Sequence, residues 1–204
     1  MLHFETIDTP TLELMNKIMA VPLFSPFRLV GGTALALQTG HRKSVDLDFF
    51  GPCLLEEGEL TEELSNFGSI TWLNKLKNIK SLLVNGIKVD FVNYSYPWLN
   101  GLIEEENVRI ASKKDIAPMK LAAITGRGAK KDFIDLYFLL QEFTLAEMIS
   151  LYEEKYKDGS TFMVLKSLVY FDDAENDEMP EMLKPITWQD IKETIVKENK
   201  NYLE

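Results

Sequence analysis

Cysteine is almost absent from this chain: Cys53 is the only one in 204 residues. An internal disulfide is therefore excluded, and a reducing compartment fits. Long apolar runs are missing too. The most apolar stretch, FIDLYFLL (133–140), carries Asp135 and falls far short of the ~20 residues a bilayer-crossing helix needs. The opening MLHFETIDTP has no basic region followed by an apolar run, so no secretory signal is expected and the cytoplasm is the expected location. There is no low-complexity tract and no internal repeat. Positive charge is in deficit, with 22 Lys and Arg against 32 Asp and Glu and a net charge of −10. That balance argues against a general nucleic-acid binder, which would carry the opposite excess.

What is present suffices for one generous core: 46% of the residues are hydrophobic and 26% charged, the balance of a soluble globular chain. The charge is spread unevenly. From Glu142 onward 15 acidic residues face 7 basic ones, whereas Arg109 to Lys131 holds seven basic residues and only Asp115 as an acid. A basic segment inside an acidic protein suggests an anionic ligand at one place; a solvated helix face is the plainer alternative.

Along the chain, TPTLELMNKIMA (9–20) has helical spacing behind a threonine cap signal. FRLVGG (27–32) reads as a short strand ending in a glycine turn, TALALQT (33–39) as a short helix closed by Gly40, and SVDLDFF (44–50) as an alternating strand. TEELSNFG (61–68) is expected to be helical. SITWLNKL, SLLV and IKVDFVNY are expected strands, the last two joined by Asn85-Gly86, a two-residue hairpin signal. From Ser112 the pattern turns helical, with capping-box spacing at SKKD (112–115), TLAE (144–147) and, in variant form, TWQD (187–190). The acidic, proline-containing stretch 172–185 is expected to be an exposed connection. The expected fold is therefore α/β (α+β), with a mixed sheet and flanking helices over 1–111 and a helical region over 112–204.

Asp46 and Asp48 lie two apart, so in a strand both project from one face while Leu47 and Phe49 project from the other. Two like charges this close repel unless a cation lies between them. Carboxylate oxygens suit Mg²⁺, which takes one or two protein carboxylates plus substrate phosphates. Asp90, in a strand that could lie beside them, is the candidate third acid of a phosphoryl-transfer site. Gly31, Gly32 and Thr33 supply a helix N-terminus where a phosphate could sit, with the Thr33 hydroxyl as an added donor. Each feature alone is commonly structural; at this spacing they favour a site. Downstream, Lys120 and Arg127 lie about two helical turns apart, with Gly126 and Gly128 in a turn between two helices. They could neutralise triphosphate charge. Asp132 and Asp135 share a face, and one of them could orient Lys131 or a ribose hydroxyl, although a Lys-Asp-x-x-Asp run is equally a favourable helix start. His41 reads as a structural loop residue, and Arg42 as a further phosphate contact.

The run GGTALALQTGHRKSVDLDFF, with KLAAITGRGAKKDFIDLYFLL downstream, resembles the AbiEii/AbiGii nucleotidyltransferase-toxin family, part of the superfamily related to DNA polymerase β. Gly31, Gly32, Thr33, Asp46 and Asp48 match the superfamily signature of a Gly-Gly/Ser turn followed by Asp-x-Asp, with Asp90 in place for the third acid. Lys120, Lys131, Asp132 and Asp135 match the later motifs, and the resemblance covers about residues 27 to 140. It implies a nucleotidyltransferase fold and transfer of a nucleotide from an NTP with release of pyrophosphate. It also implies the toxin of a bacterial toxin–antitoxin or phage-defence pair, a cognate antitoxin as partner, and tRNA as one kind of acceptor. The expected site is then Asp46, Asp48 and Asp90 as catalytic, Mg²⁺-binding acids. Gly31, Gly32, Thr33, Arg42, Lys120, Lys131 and Asp135 are the expected nucleotide contacts. Two rivals stay open: a small-molecule, antibiotic-type nucleotidyltransferase, which suits an acidic protein, and a nucleotide-binding interaction module without turnover.

Overall fold

Asp8 starts the first helix by accepting from the Thr11 amide, and Pro10 fits the first turn, where its missing N–H costs nothing. This helix, α1 (Thr9–Ala20), buries Leu14, Met15, Ile18 and Met19 along one stripe. The computed structural model describes residues 1–52 and 54–204, so Cys53 lies outside the described residues. The chain divides into two units. The first comprises residues 1–38, 43–95 and 102–111; the second comprises 39–42, 96–101 and 112–204.

The first unit is built on one mixed sheet. Its strands are β1 (Arg28–Leu29), β2 (Leu47–Gly51), β3 (Ile70–Leu76), β4 (Ile79–Val84), β5 (Ile87–Asn93), β6 (Ile103–Glu105) and β7 (Val108–Ile110). Among the described residues their spatial order is β3-β4-β5-β2-β1-β7-β6. Strands β3, β4 and β5 form an antiparallel meander. At its second turn Asn85 and Gly86 both have positive φ, as a tight hairpin of native twist requires. Strand β2 runs antiparallel to β1 and parallel to β5, and β1 runs parallel to β7. Helix α2 (Gly31–Thr39) follows β1 and α3 (Glu57–Ser65) follows β2.

Beneath β2 and β5 lies an aromatic core. Phe49 and Phe91 are registered partners with ring centres 5.3 Å apart. Phe24 and Phe27 close on Phe91 at 4.7 and 5.5 Å. All four are essentially inaccessible to water. Each fully buried ring of this size contributes about 1.5–3 kcal/mol by leaving water. That apolar face is what allows the opposite face of the same strands to carry acids.

The strand expected from Ser44 begins only at Leu47, because the intervening backbone has other partners. The Ser44 amide donates to the Thr6 carbonyl at 2.9 Å, and the Asp46 carbonyl accepts from the Thr33 hydroxyl.

The second unit is helical: α4 (Lys113–Gly126), α5 (Lys130–Leu139), α6 (Leu145–Lys155), α7 (Thr161–Ser167), α8 (Asp172–Glu175) and α9 (Trp188–Leu203). Ser112, Thr144 and Thr187 cap α4, α6 and α9, and the last two complete capping boxes with Glu147 and Asp190. Helix α4 packs on α5, α6 and α7, and α9 packs on α5 and α6. A buried pair, Lys155 to Asp115 at 2.9 Å, holds the 96–101 segment: Asp115 also accepts from the Leu99 and Asn100 amides, and Lys155 donates to the Pro97 carbonyl. Among the described residues no helix is long and apolar enough to cross a membrane.

Candidate active site

Strand register brings two of the three expected acids side by side. Asp48 on β2 is the direct partner of Asp90 on β5. Registered residues of parallel neighbours share a face at the ~4.8 Å strand spacing. Both are half-buried, on the face opposite Phe49 and Phe91. Asp46 lies one residue before β2, two positions from Asp48.

The loop carrying Asp46 is held from α2. Thr33, 1% exposed, donates its hydroxyl proton to the Asp46 carbonyl and lies 2.8 Å from Ser44 Oγ. A hydroxyl has one proton, so Ser44 donates in that second contact. Thr33 therefore positions Asp46. It is expected from the sequence as a phosphate donor; in this structure its proton goes to the Asp46 carbonyl in a part-buried contact. The Asp48 backbone is fixed in turn by the Val30 amide, which donates to its carbonyl at 2.9 Å.

Gly31 explains the glycine turn. Its φ is +69°, in the left-handed region that favours glycine, and an added Cβ would collide with Asp48 Oδ2 and stand 3.3 Å from Asp48 Cγ. Only a residue without a side chain lets the Asp48 carboxylate lie against the start of α2. Gly31 and Gly32 open that helix, whose first amides lack partners within it and whose positive end favours anions.

The acids also have a cation of their own. Lys88, two residues before Asp90 on β5, places Nζ 2.6 Å from Asp90 Oδ2. Partial burial works to lower the Lys88 pKa. The bond to Asp90 and the charges of Asp90, Asp48 and Asp46 outweigh it and hold the ammonium above its ordinary value. The other Asp90 oxygen, Oδ1, is buried with no hydrogen-bond partner. Among the described residues no three His, Cys, Asp or Glu side chains close into a set that could hold a metal ion. The donor chemistry of Asp46 and Asp48 still suits a hard divalent cation, since both offer carboxylate oxygens.

Of the remaining expected residues, Arg42, Lys120 and Asp135 meet in a cluster within the second unit. Asp135 on α5 is wholly buried. Its Oδ1 accepts from His41 Nε2 at 2.8 Å and Arg42 Nε at 2.7 Å; its Oδ2 accepts from Arg42 Nη2 at 2.9 Å and pairs with Lys120 at 2.5 Å. Lys120 also reaches Asp132 at 3.0 Å, and Arg127 binds Asp132 through two nitrogens at 2.7 and 2.9 Å. Burial works to raise the Asp135 pKa, but Arg42, Lys120 and His41 overcome it and hold the carboxyl well below the usual range. Burial lowers the His41 pKa against the pull of Asp135. Because Asp135 only accepts, the neutral imidazole carries its proton on Nε2 and accepts at Nδ1 from the Thr39 hydroxyl, 2.5 Å away.

Arg42 and Lys120 are 3% and 4% exposed and Asp135 is 0% exposed. They are expected from the sequence as direct nucleotide contacts; in this structure their charged atoms face one another in a buried ionic cluster. Lys131 lies half-buried in the first turn of α5.

A sequence profile of the nucleotidyl transferase AbiEii toxin family, of type IV toxin–antitoxin systems, matches residues 13–202. The chain belongs to this family. It is a nucleotidyltransferase of the toxin–antitoxin kind. It is 36% identical over 198 residues to the uncharacterized protein aq_aa25 of Aquifex aeolicus (strain VF5), spanning 94% of this chain and 95% of that one. A crystal structure of a putative nucleotidyltransferase from H. pylori has the same fold, with a TM-score of 0.59 at 18% identity over 97% of this chain and 99% of the other. So does MenT4, a nucleotidyltransferase toxin of Mycobacterium tuberculosis H37Rv, with a TM-score of 0.55 at 12% identity over 95% of this chain and 86% of the other.

Sequence reasoning missed Lys88 in this family member. The signal was present: the alternation that pairs Asp46 with Asp48 also pairs Lys88 with Asp90 in IKVDFVN.

Proposed function

We propose that this toxin-family enzyme transfers a nucleotide from an NTP to an acceptor hydroxyl of tRNA, using Asp46, Asp48 and Asp90. The observation that carries the reading is the register of Asp48 beside Asp90 over the glycine-opened helix. Asp46 and Asp48 would hold Mg²⁺, which when bound neutralises triphosphate charge and polarises the reacting phosphate. The Gly31 and Gly32 amides bind the phosphates at the helix N-terminus. Asp90 Oδ1, buried and without a partner, accepts the acceptor's proton as its oxygen bonds to the α-phosphorus and the bond to the departing pyrophosphate breaks. Thr33 keeps Asp46 in place throughout. Of the basic segment, exposed Lys114 and the 59% exposed Arg127 are what could meet an anionic acceptor, and the family supports a cognate antitoxin as partner and a cytoplasmic place of action, where NTPs are present.

The net charge of −10 favours a second reading, a small cationic acceptor of the antibiotic type. One experiment separates the two. The protein is incubated with each α-labelled NTP and either total tRNA or aminoglycosides, and the labelled product is sought with Asp48→Asn as control. Label on tRNA that requires Mg²⁺ and vanishes with Asp48→Asn is expected. Label on aminoglycosides alone would move the acceptor, and label that survives Asp48→Asn would remove the site. Expression in a host without the antitoxin is expected to slow growth for the natural chain and not for Asp48→Asn.

A further inference from the structure

Asp90 offers two oxygens, and they are unlike. Oδ2 takes the Lys88 ammonium at 2.6 Å, whereas Oδ1 is buried with nothing bound to it. An oxygen in so short a charge-assisted bond cannot also ligate a second divalent ion without displacing the ammonium. The lysine is poorly placed to leave: it is two residues away on the same strand, so its charge is tethered at high effective concentration. Asp48 lies in register with Asp90 across the strand gap, and two carboxylates that close need a positive charge at Asp90 whether or not a metal is bound at Asp46 and Asp48.

We propose that Lys88 supplies, at Asp90, the positive charge that a second divalent ion would otherwise bring, so that this enzyme works with one metal ion and a lysine in place of two metals. The inference rests on the proposed transfer site and goes beyond it. Lys88 is a positioning residue: by occupying Oδ2 it turns Oδ1 toward proton acceptance and offsets the repulsion between Asp48 and Asp90. Removing its charge frees the second Asp90 oxygen and takes away the positive charge beside it, and should recruit the second ion.

The test counts Mn²⁺ bound to the whole chain, from the free-ion electron paramagnetic resonance signal during titration. The natural chain and Lys88→Arg are expected to bind one ion. Lys88→Met, and Lys88→Gln should the first variant lose its circular dichroism, are expected to bind a second ion, or the first about tenfold more tightly, since one repelling charge has gone. Two ions in the natural chain, or identical binding by Lys88→Met, Lys88→Gln and the natural chain, would overturn the inference. Asp46→Asn and Asp48→Asn keep the two levels apart. If Mn²⁺ binding ignores both variants, the transfer site itself is misplaced; if they abolish it while the Lys88 variants change nothing, only the lysine's role falls.

Discussion

Replacing Asp135 by Asn tests whether Lys120 and Arg42 serve the fold or the nucleotide. The side chain is nearly the same size, so no cavity opens. Four bonds converge on the carboxylate, from His41, Arg42 twice and Lys120. An amide has one acceptor oxygen and a donating nitrogen, so the donors on one side of the substituted group would face another donor. Lys120 and Arg127 would keep Asp132, while Arg42 would lose its charged acceptor at position 135. Breaking a buried pair in this way costs about 3–5 kcal/mol, because the stranded cations stay out of water. For a protein of this size each kcal/mol lowers the melting temperature by about 2–4 °C, so a drop of roughly 6–20 °C is expected by calorimetry. Asp132→Asn is the internal comparison. Its strongest partner, Arg127, is 59% exposed and can turn to water, so about 1–3 kcal/mol is expected there. If Asp135→Asn costs less than Asp132→Asn, or weakens NTP binding at unchanged melting temperature, the cluster is not a structural clamp.

Gly31→Ala is expected to cost about 1–2 kcal/mol from its left-handed backbone alone, and to displace the Asp48 carboxylate; Mn²⁺ affinity and melting temperature should fall together, and unchanged affinity would contradict the packing. Thr33→Val keeps the shape but removes the proton given to Asp46, so a loss of about 1–3 kcal/mol by thermal melt, with a larger loss of transfer rate, is expected; equal activity would show that Asp46 needs no such support. The pH dependence has a defined sign. The folded state keeps His41 neutral below its ordinary value of 6.5, so the unfolded chain takes up the extra proton and melting temperature should fall as pH drops through about 6.5. Asp135 and Asp132 are depressed, so their contribution is complete above about 3.8 and is lost below it. Melts from pH 8 to 3 should show both declines, the first absent in His41→Gln; a melting temperature that rises from pH 7 to 5 would refute the neutral imidazole.

The local signals were legible from sequence. Asn85-Gly86 formed its hairpin because both residues tolerate positive φ, and Ser112, Thr144 and Thr187 capped their helices because each hydroxyl reaches an amide three residues on. The alternation around Asp46 and Asp48 was legible as well, since the apolar partners Leu47 and Phe49 are in the same few residues. The β6–β7 hairpin was not: its turn uses Glu106 and Asn107 at φ 52° and 65°, and glutamate there is no turn signal. The register of Asp48 with Asp90 could not be read either, because parallel pairing across 42 residues is set by sheet order, which no short window contains. For Lys120 and Asp135 the residue types were right for a phosphate site or for a buried ion pair. The motif could not show that these groups would be buried against one another, because burial is a property of the packed helices.

The Arg42–Asp135 bond joins residues 93 positions apart, and this separation has a meaning in time. A ribosome adding about 5–20 residues per second makes Asp135 roughly 5 to 19 seconds after Arg42. Throughout that interval the emerging segment 39–42 carries a guanidinium and an imidazole that have not yet met Asp135. An unfinished copy of this toxin-family enzyme, stalled or cut before α5, therefore lacks the carboxylate that locks Arg42, and synthesis through α5 becomes a condition for that lock.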